Sequence, residues 1–181
     1  MKPEILFLSR NYPPQTGGFE TYSYNLIKSV GQRHAASKIV LGKPRKHLFW
    51  FLPYAVLKAV HMIRKEEIRR VHLCDGLLAT VGVLLKSLLP VTVSVTVHGL
   101  DITFRNGFYQ AMVPPCVARL DRIICVSRHT REECLDRGIP AEKIHVIPNG
   151  IDPSDFQVSQ SRERCRAEAA ERLGVSVEGK K

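Results

Sequence analysis

Four short stretches carry side chains or backbone groups fit to bind a ligand or handle charge, and each directly follows an apolar run. They are residues 11–18 (NYPPQTGG), 98–101 (HGLD), Ser127-Arg128, and 148–152 (PNGID). In the first, Gly17-Gly18 stands before an apolar pattern of helical spacing. Glycines let a ligand approach the backbone closely, and the free N–H groups and dipole of a helix start favour a phosphate. The pattern is not GxGxxG and has no P-loop lysine, so a plain structural turn explains Gly17 and Gly18 equally well. In the second, His98 has a reference pKa near neutrality and can donate, accept or carry charge beside a phosphate or a sugar hydroxyl. Asp101 can orient His98, contact hydroxyls, or cap the helix that begins after it. There is no nucleophile elbow. No His, Cys and carboxylate set has metal-ligand spacing, since His61 and His72 are too far apart to pair on a helix; no structural metal and no cofactor are expected.

The elements that would hold these stretches alternate between strand and helix. Residues 4–10, 37–41, 70–74, 91–97, 123–126 and 144–147 read as strands, VTVSVTV (91–97) being the clearest. Between them, helical patterns start at Phe19, cover 51–65 with Pro53 in the first turn, cover 77–89, and lie near 108–120, where Pro114-Pro115 should break or restart the helix. Ser127 can cap a following helix, Thr130 offers a second cap at the same end, and Gly138 and Pro140 stop it. This alternation of apolar strands and helices predicts an α/β class: a doubly wound, mainly parallel, Rossmann-like sheet covered on both faces. In such sheets ligands sit outside the carboxyl ends of the strands, where all four stretches fall. Residues 1–156 read as one domain. Residues 157–181 turn polar and Arg/Glu-rich, and read as a linker with one helix over 162–173 or a frayed tail.

Composition narrows the class further. The chain has 181 residues, enough to bury a core, and a formal net charge of +10, which favours anionic partners without any Lys/Arg block long enough for a nucleic-acid arm. Five cysteines, an odd number with no CxxC spacing, disfavour a disulfide framework or a zinc knuckle and fit a reducing cytoplasm. The first residues lack a signal-peptide core. Residues 48–63 are apolar but interrupted by Pro53, Lys58 and His61, and residues 77–97 are split by Lys86 and Pro90, so neither reads as a membrane span.

Taken together, Tyr12-Pro13-Pro14…Gly17-Gly18, His98-Gly99-Leu100-Asp101, Ile124-Cys125-Val126-Ser127 and IHVIPNGID at 144–152 resemble the N-terminal domain of family-4 (group 1) retaining glycosyltransferases of the GT-B fold. The resemblance covers roughly residues 4–156 and is carried by the order and spacing of the motifs. It implies transfer of a hexose from a nucleotide-diphosphate sugar, with retention and without a bound metal. It implies that Gly17 and Gly18 present N–H groups to the donor diphosphate and that His98 sits beside the transferred sugar. Tyr12, Asp101, Ser127 and Arg128 would line or brace the acceptor side, and Asn149-Gly150 would stand at the cleft before the crossing to a second domain. In that family the donor binds mainly to a C-terminal domain, whose Arg/Lys pair and Glu-x7-Glu motif this sequence lacks. The chain is therefore expected to be one half of a GT-B enzyme, truncated or split, inactive without a partner domain, and directed at an unknown sugar or lipid-linked acceptor.

Two other classes stay open. One is a stand-alone binding module whose basic surface docks phosphorylated ligands or the anionic inner face of a membrane, with residues 48–63 as an interfacial helix rather than a core helix. The other is half of a nucleotide-sugar epimerase. A dinucleotide-binding dehydrogenase is weaker, for want of GxGxxG.

Overall fold

The computed structural model describes residues 2–42, 45–150 and 161–174. The chain divides into two compact units, residues 1–149 and 150–181. In the first, six parallel strands form one sheet: β1 (Ile5–Ser9), β2 (Ala36–Val40), β3 (Arg70–Leu73), β4 (Thr92–Val97), β5 (Arg122–Cys125) and β6 (Ile144–Val146), in the order β2-β1-β3-β4-β5-β6. The order reverses beside β1, which makes the edge between β1 and β3 the switch point where open α/β sheets bind ligands. The helices are α1 (Gly18–Gly31), α2 (Leu48–Glu66), α3 (Ala79–Leu88), α4 (Gly99–Thr103), α5 (Gly107–Ala118) and α6 (Arg128–Leu135). The second unit contributes one described helix, α7 (Arg162–Leu173), with Ser161 as its N-cap and Gly174 in the left-handed conformation at its end.

The period-2 alternation of the strands divides the sheet into two unlike faces. Leu8, Leu73, Val95, Ile123 and Ile144 stand in one row across β1, β3, β4, β5 and β6. They join Ala55 and Ala59 of α2, Leu85 of α3, Val113 and Val117 of α5 and Cys134 of α6 in the main core. The other face, under α1, is half polar. Phe7, Tyr12, Ile27 and Cys74 form a small apolar cluster there, beside a seam of hydrogen-bonded side chains. His72 Nδ1 meets Ser94 Oγ at 2.9 Å and its Nε2 meets Thr96 Oγ1 at 3.1 Å. Tyr22 of α1 meets Thr96 at 2.8 Å, and Ser9 Oγ meets Ser23 Oγ at 2.9 Å. Each buried polar group in the seam has a partner, the condition for placing such groups inside.

Three local expectations are corrected. Pro53 lies in the second turn of α2, because the helix begins at Leu48. Pro53 is on the exposed side, where water can serve the carbonyl its ring deprives of a donor. Helix α5 runs unbroken through Pro114-Pro115, held by the packing of Val113 and Val117 into the main core. At α6 only Ser127 acts as the cap: its Oγ accepts from Thr130 N at 3.0 Å, so Thr130 lies inside the first turn. Among the described residues no helix is long and apolar enough to cross a membrane.

Candidate functional site

Residues from three neighbouring carboxyl-edge loops, after β1, β3 and β4, converge at the switch point. His98 directly follows β4 as the N-cap of α4 and is nearly buried, with 8% of its surface exposed. Its ring lies edge-on between Phe19 (4.6 Å between centroids, 73°) and Tyr22 (4.7 Å, 84°), both from α1. His98 Nε2 lies 3.3 Å from the carbonyl oxygen of Cys74, so Nε2–H donates and Nδ1 is left as the acceptor. Burial lowers the His98 pKa; the Cys74 carbonyl and Asp75 oppose this, and Arg10 adds to it. At neutral pH the ring is an uncharged imidazole, better suited to hydrogen bonding than to carrying charge.

Beneath His98 lies a buried ionic cluster. Arg10, at the end of β1, donates from Nε to Asp75 Oδ1 at 2.8 Å and places a terminal nitrogen 3.9 Å from Asp101 Oδ1. Asp75 and Asp101 are 1% and 3% exposed. Asp75 Oδ1 also accepts from Leu77 N at 3.1 Å, while its Oδ2 is buried without a hydrogen-bond partner among the described residues. Asp101 Oδ2 accepts from Gly76 N at 3.1 Å and from His98 N at 3.2 Å, tying the β3 and β4 loops together. One guanidinium thus faces two carboxyl groups. Burial, and then the nearby Asp75 charge, push the Asp101 pKa up to about 7 against the pull of the Gly76 and His98 N–H groups and Arg10. Two like charges in one dry site cannot both ionise freely.

The glycine turn lies against α1. Gly17 is its N-cap, with φ of 157°, and a Cβ there would run into the Glu20 carboxylate, which folds back over it. Gly18 begins the helix, and among the described residues a Cβ there would meet no atom within 4 Å. The first N–H groups of α1 have no acceptor within the helix. The side of the turn next to Gly18 is therefore open and rich in donors.

Of the residues singled out from sequence, the structure gathers Gly17, Gly18, His98 and Asp101. Asp101 is a buried brace, out of reach of an incoming hydroxyl. Tyr12 is placed apart from them: its ring packs in the small cluster and its hydroxyl accepts from Lys38 Nζ of β2 at 2.7 Å. Ser127 is engaged as the α6 cap, Arg128 is exposed on the first turn of α6, and Asn149 and Gly150 are exposed beyond β6. Residues 151–156, which the sequence reading assigns to the interdomain crossing, lie outside the described residues. Arg10, Asp75, Glu20, Tyr22 and His72 were not singled out. The carboxyl-edge rule, applied also to the loop after β3, would have found Asp75, and a charged Arg10 closing an apolar strand was a second signal.

The model of glycosyltransferase family 4 matches residues 16–155. No curated protein matches the chain significantly. Among solved structures, the Anabaena protein HepE in complex with UDP and glucose is similar over 95% of this chain and 50% of its own, at 17% identity and a TM-score of 0.66. A sucrose-phosphate synthase from Thermosynechococcus elongatus is similar over 97% of this chain and 53% of its own, at 16% identity and a TM-score of 0.70. A UDP-N-acetylglucosamine 2-epimerase from Rickettsia bellii is similar over 97% of this chain and 52% of its own, at 10% identity and a TM-score of 0.62. These likenesses concern the fold: the chain spans about half the length of each.

Proposed function

Because the chain belongs to glycosyltransferase family 4, we propose that its first unit is the acceptor-side, Rossmann-like half of a GT-B enzyme that transfers a hexose with retention from a nucleotide-diphosphate sugar. One observation carries this reading: the glycine turn at the start of α1, open on its Gly18 side, and a neutral, nearly buried His98 meet at the sheet's switch point, with Phe19 of α1 against the His98 ring. In this proposal the N–H groups at Gly17 and Gly18 face the donor diphosphate. The neutral imidazole of His98 lies beside the transferred sugar, its Nε2–H held by Cys74 O and its other nitrogen turned to the Asp101 backbone N–H. Fixed N–H donors aimed at the leaving diphosphate lower the barrier electrostatically. Most donor affinity would come from a second domain, so this chain alone would bind donor weakly and transfer nothing. The epimerase structure shares the fold, and the family match favours transfer.

Titration of the isotope-labelled chain with UDP-glucose should shift the Gly17 and Gly18 amides and the His98 ring resonances. Gly18→Val, whose Cβ would meet no atom of the described residues within 4 Å in the free protein, should abolish these shifts without unfolding the chain. Glucose transfer by the chain alone, or shifts confined to other loops, would overturn the proposal.

A second reading concerns α2. Its inner face, Phe51, Ala55, Ala59 and Ile63, is buried, whereas Phe49, Trp50 and Leu57 on its outer face are 77%, 72% and 72% exposed. Lys46, Lys58, Arg64 and Lys65 lie along the same segment. The helix is thus both a core helix and, we propose, a docking surface for an anionic bilayer. Sedimentation with vesicles containing phosphatidylglycerol should carry the chain down, and Trp50→Ser should weaken this. Equal sedimentation with neutral vesicles would refute it.

A further inference from the structure

Helix α4 follows directly from His98 at the carboxyl edge of the sheet, and residues 104–106 join it to α5. In and around this segment Leu100, Phe104 and Phe108 are 71%, 54% and 76% exposed. Single exposed apolar residues are ordinary; here three large ones fall within nine positions beside the candidate site. They are also firmly presented. Gln110 Nε2 donates to the carbonyls of Ile102 and Phe104, at 2.9 Å each. Tyr109 Oη donates to Asp101 O at 2.8 Å, and Asn106 Oδ1 accepts from Tyr109 N at 3.0 Å. The Phe104 ring stands edge-on to Tyr109 at 5.3 Å. Arg137, in the turn after α6, secures Gln110 from behind, Nε to Oε1 at 3.1 Å. A turn held this well offers its apolar side chains at little further ordering cost to a ligand.

The charge pattern says which ligand. Between residues 99 and 118 the only charged side chains are Asp101, which is buried, and Arg105, which is exposed. Exposed Arg128 begins α6, which packs against α4. The segment itself is therefore apolar with one exposed charge, Arg105, while α6 brings Arg128 together with the exposed acids Glu132 and Asp136. We propose that Leu100, Phe104, Arg105 and Phe108 form a subsite for an amphiphile with an anionic head, its apolar body on the two phenylalanines and its phosphate near Arg105. This deepens the transferase reading and rests on it for one point only, that the occupant is the acceptor.

The test uses decyl phosphate below its micelle concentration as the probe, followed by calorimetry and by amide shifts on the full chain. Glucose 1-phosphate supplies the phosphate without the tail, and decyl glucoside the tail without the charge. Decyl phosphate should bind about tenfold more tightly than either. Phe104→Ser/Phe108→Ser, both exposed positions, should remove that advantage with the circular dichroism spectrum unchanged, and Arg105→Gln should remove the preference over decyl glucoside. Trp50→Ser should change nothing. Equal binding of glucose 1-phosphate, indifference to Phe104→Ser/Phe108→Ser, or loss on Trp50→Ser would each overturn the subsite. The UDP-glucose shifts at Gly17 and Gly18 report separately on transfer. If they persist while decyl phosphate binding fails, the subsite falls and the transferase reading stands; the reverse result keeps the subsite and removes its role as acceptor site.

Discussion

Replacing Arg10 by alanine should cost the folded chain about 3–5 kcal/mol, the range for breaking a buried ion pair from one side. The reason is the stoichiometry of the cluster. Arg10 is the cation set against both Asp75 and Asp101, which are almost fully buried. Without it, two carboxyl groups face each other with only backbone N–H donors as compensation. Of a typical domain's stability of about 5–15 kcal/mol this is a large share. Arg10→Lys keeps a charge but loses the planar donor fork, and should fall between wild type and alanine. The penalty should be greatest above pH 7 and shrink below it, because Asp101, whose pKa is pushed up to about 7, then takes a proton and relieves the repulsion. Urea titrations of the three proteins at pH 6 and pH 8 would measure this. A loss below about 1 kcal/mol at pH 8, the size of a surface ion pair, would mean that water reaches these carboxylates and that the cluster does not brace His98.

The second large effect is acid sensitivity from His72. Burial, and then the neighbouring His98, lower the His72 pKa to about 4 from an ordinary 6.5. Between these values the unfolded chain binds a proton at this site and the folded chain does not. Stability therefore falls as the pH drops from about 6.5 to about 4, by roughly 3 kcal/mol for this residue. Asp101 acts in the opposite sense: with its folded pKa raised, it costs stability as the pH rises towards 7. The His72 share is isolated by comparison with His72→Gln, whose amide can still bond Ser94 and Thr96. The difference in unfolding free energy between wild type and variant should move against the wild type on acidification from pH 6.5 to pH 4.5. A constant difference, or one of the other sign, would show that the seam under α1 admits a charged imidazole.

Much of the frame was legible in the residues. The β-branched run of β4 and the apolar runs of β1, β3 and β5 could only be buried strands. The helix at Arg162–Leu173 was readable because caps and helix formers are local signals. Pro114-Pro115 misled, because the propensity of a short segment is weak against the burial of Val113 and Val117. That Gly17, Gly18 and His98 lie at the carboxyl edge of the sheet followed from their position after strands, a property of chain order.

Chain order and side-chain chemistry were thus enough for the α/β class, the parallel sheet and the edge on which ligands would bind. Folding settled which residues meet there. Arg10, Asp75 and Asp101 lie 65 and 26 positions apart along the chain, and no local pattern couples them. Only the order β2-β1-β3-β4 brings their loops side by side and shuts out water. The same enclosure makes His98 a neutral hydrogen-bonding group and Asp101 a brace, because a residue's charge state depends on its desolvation and its neighbours. Those depend on contacts distant in sequence, which is why the residue types alone left His98 free to carry charge and Asp101 free to meet a ligand.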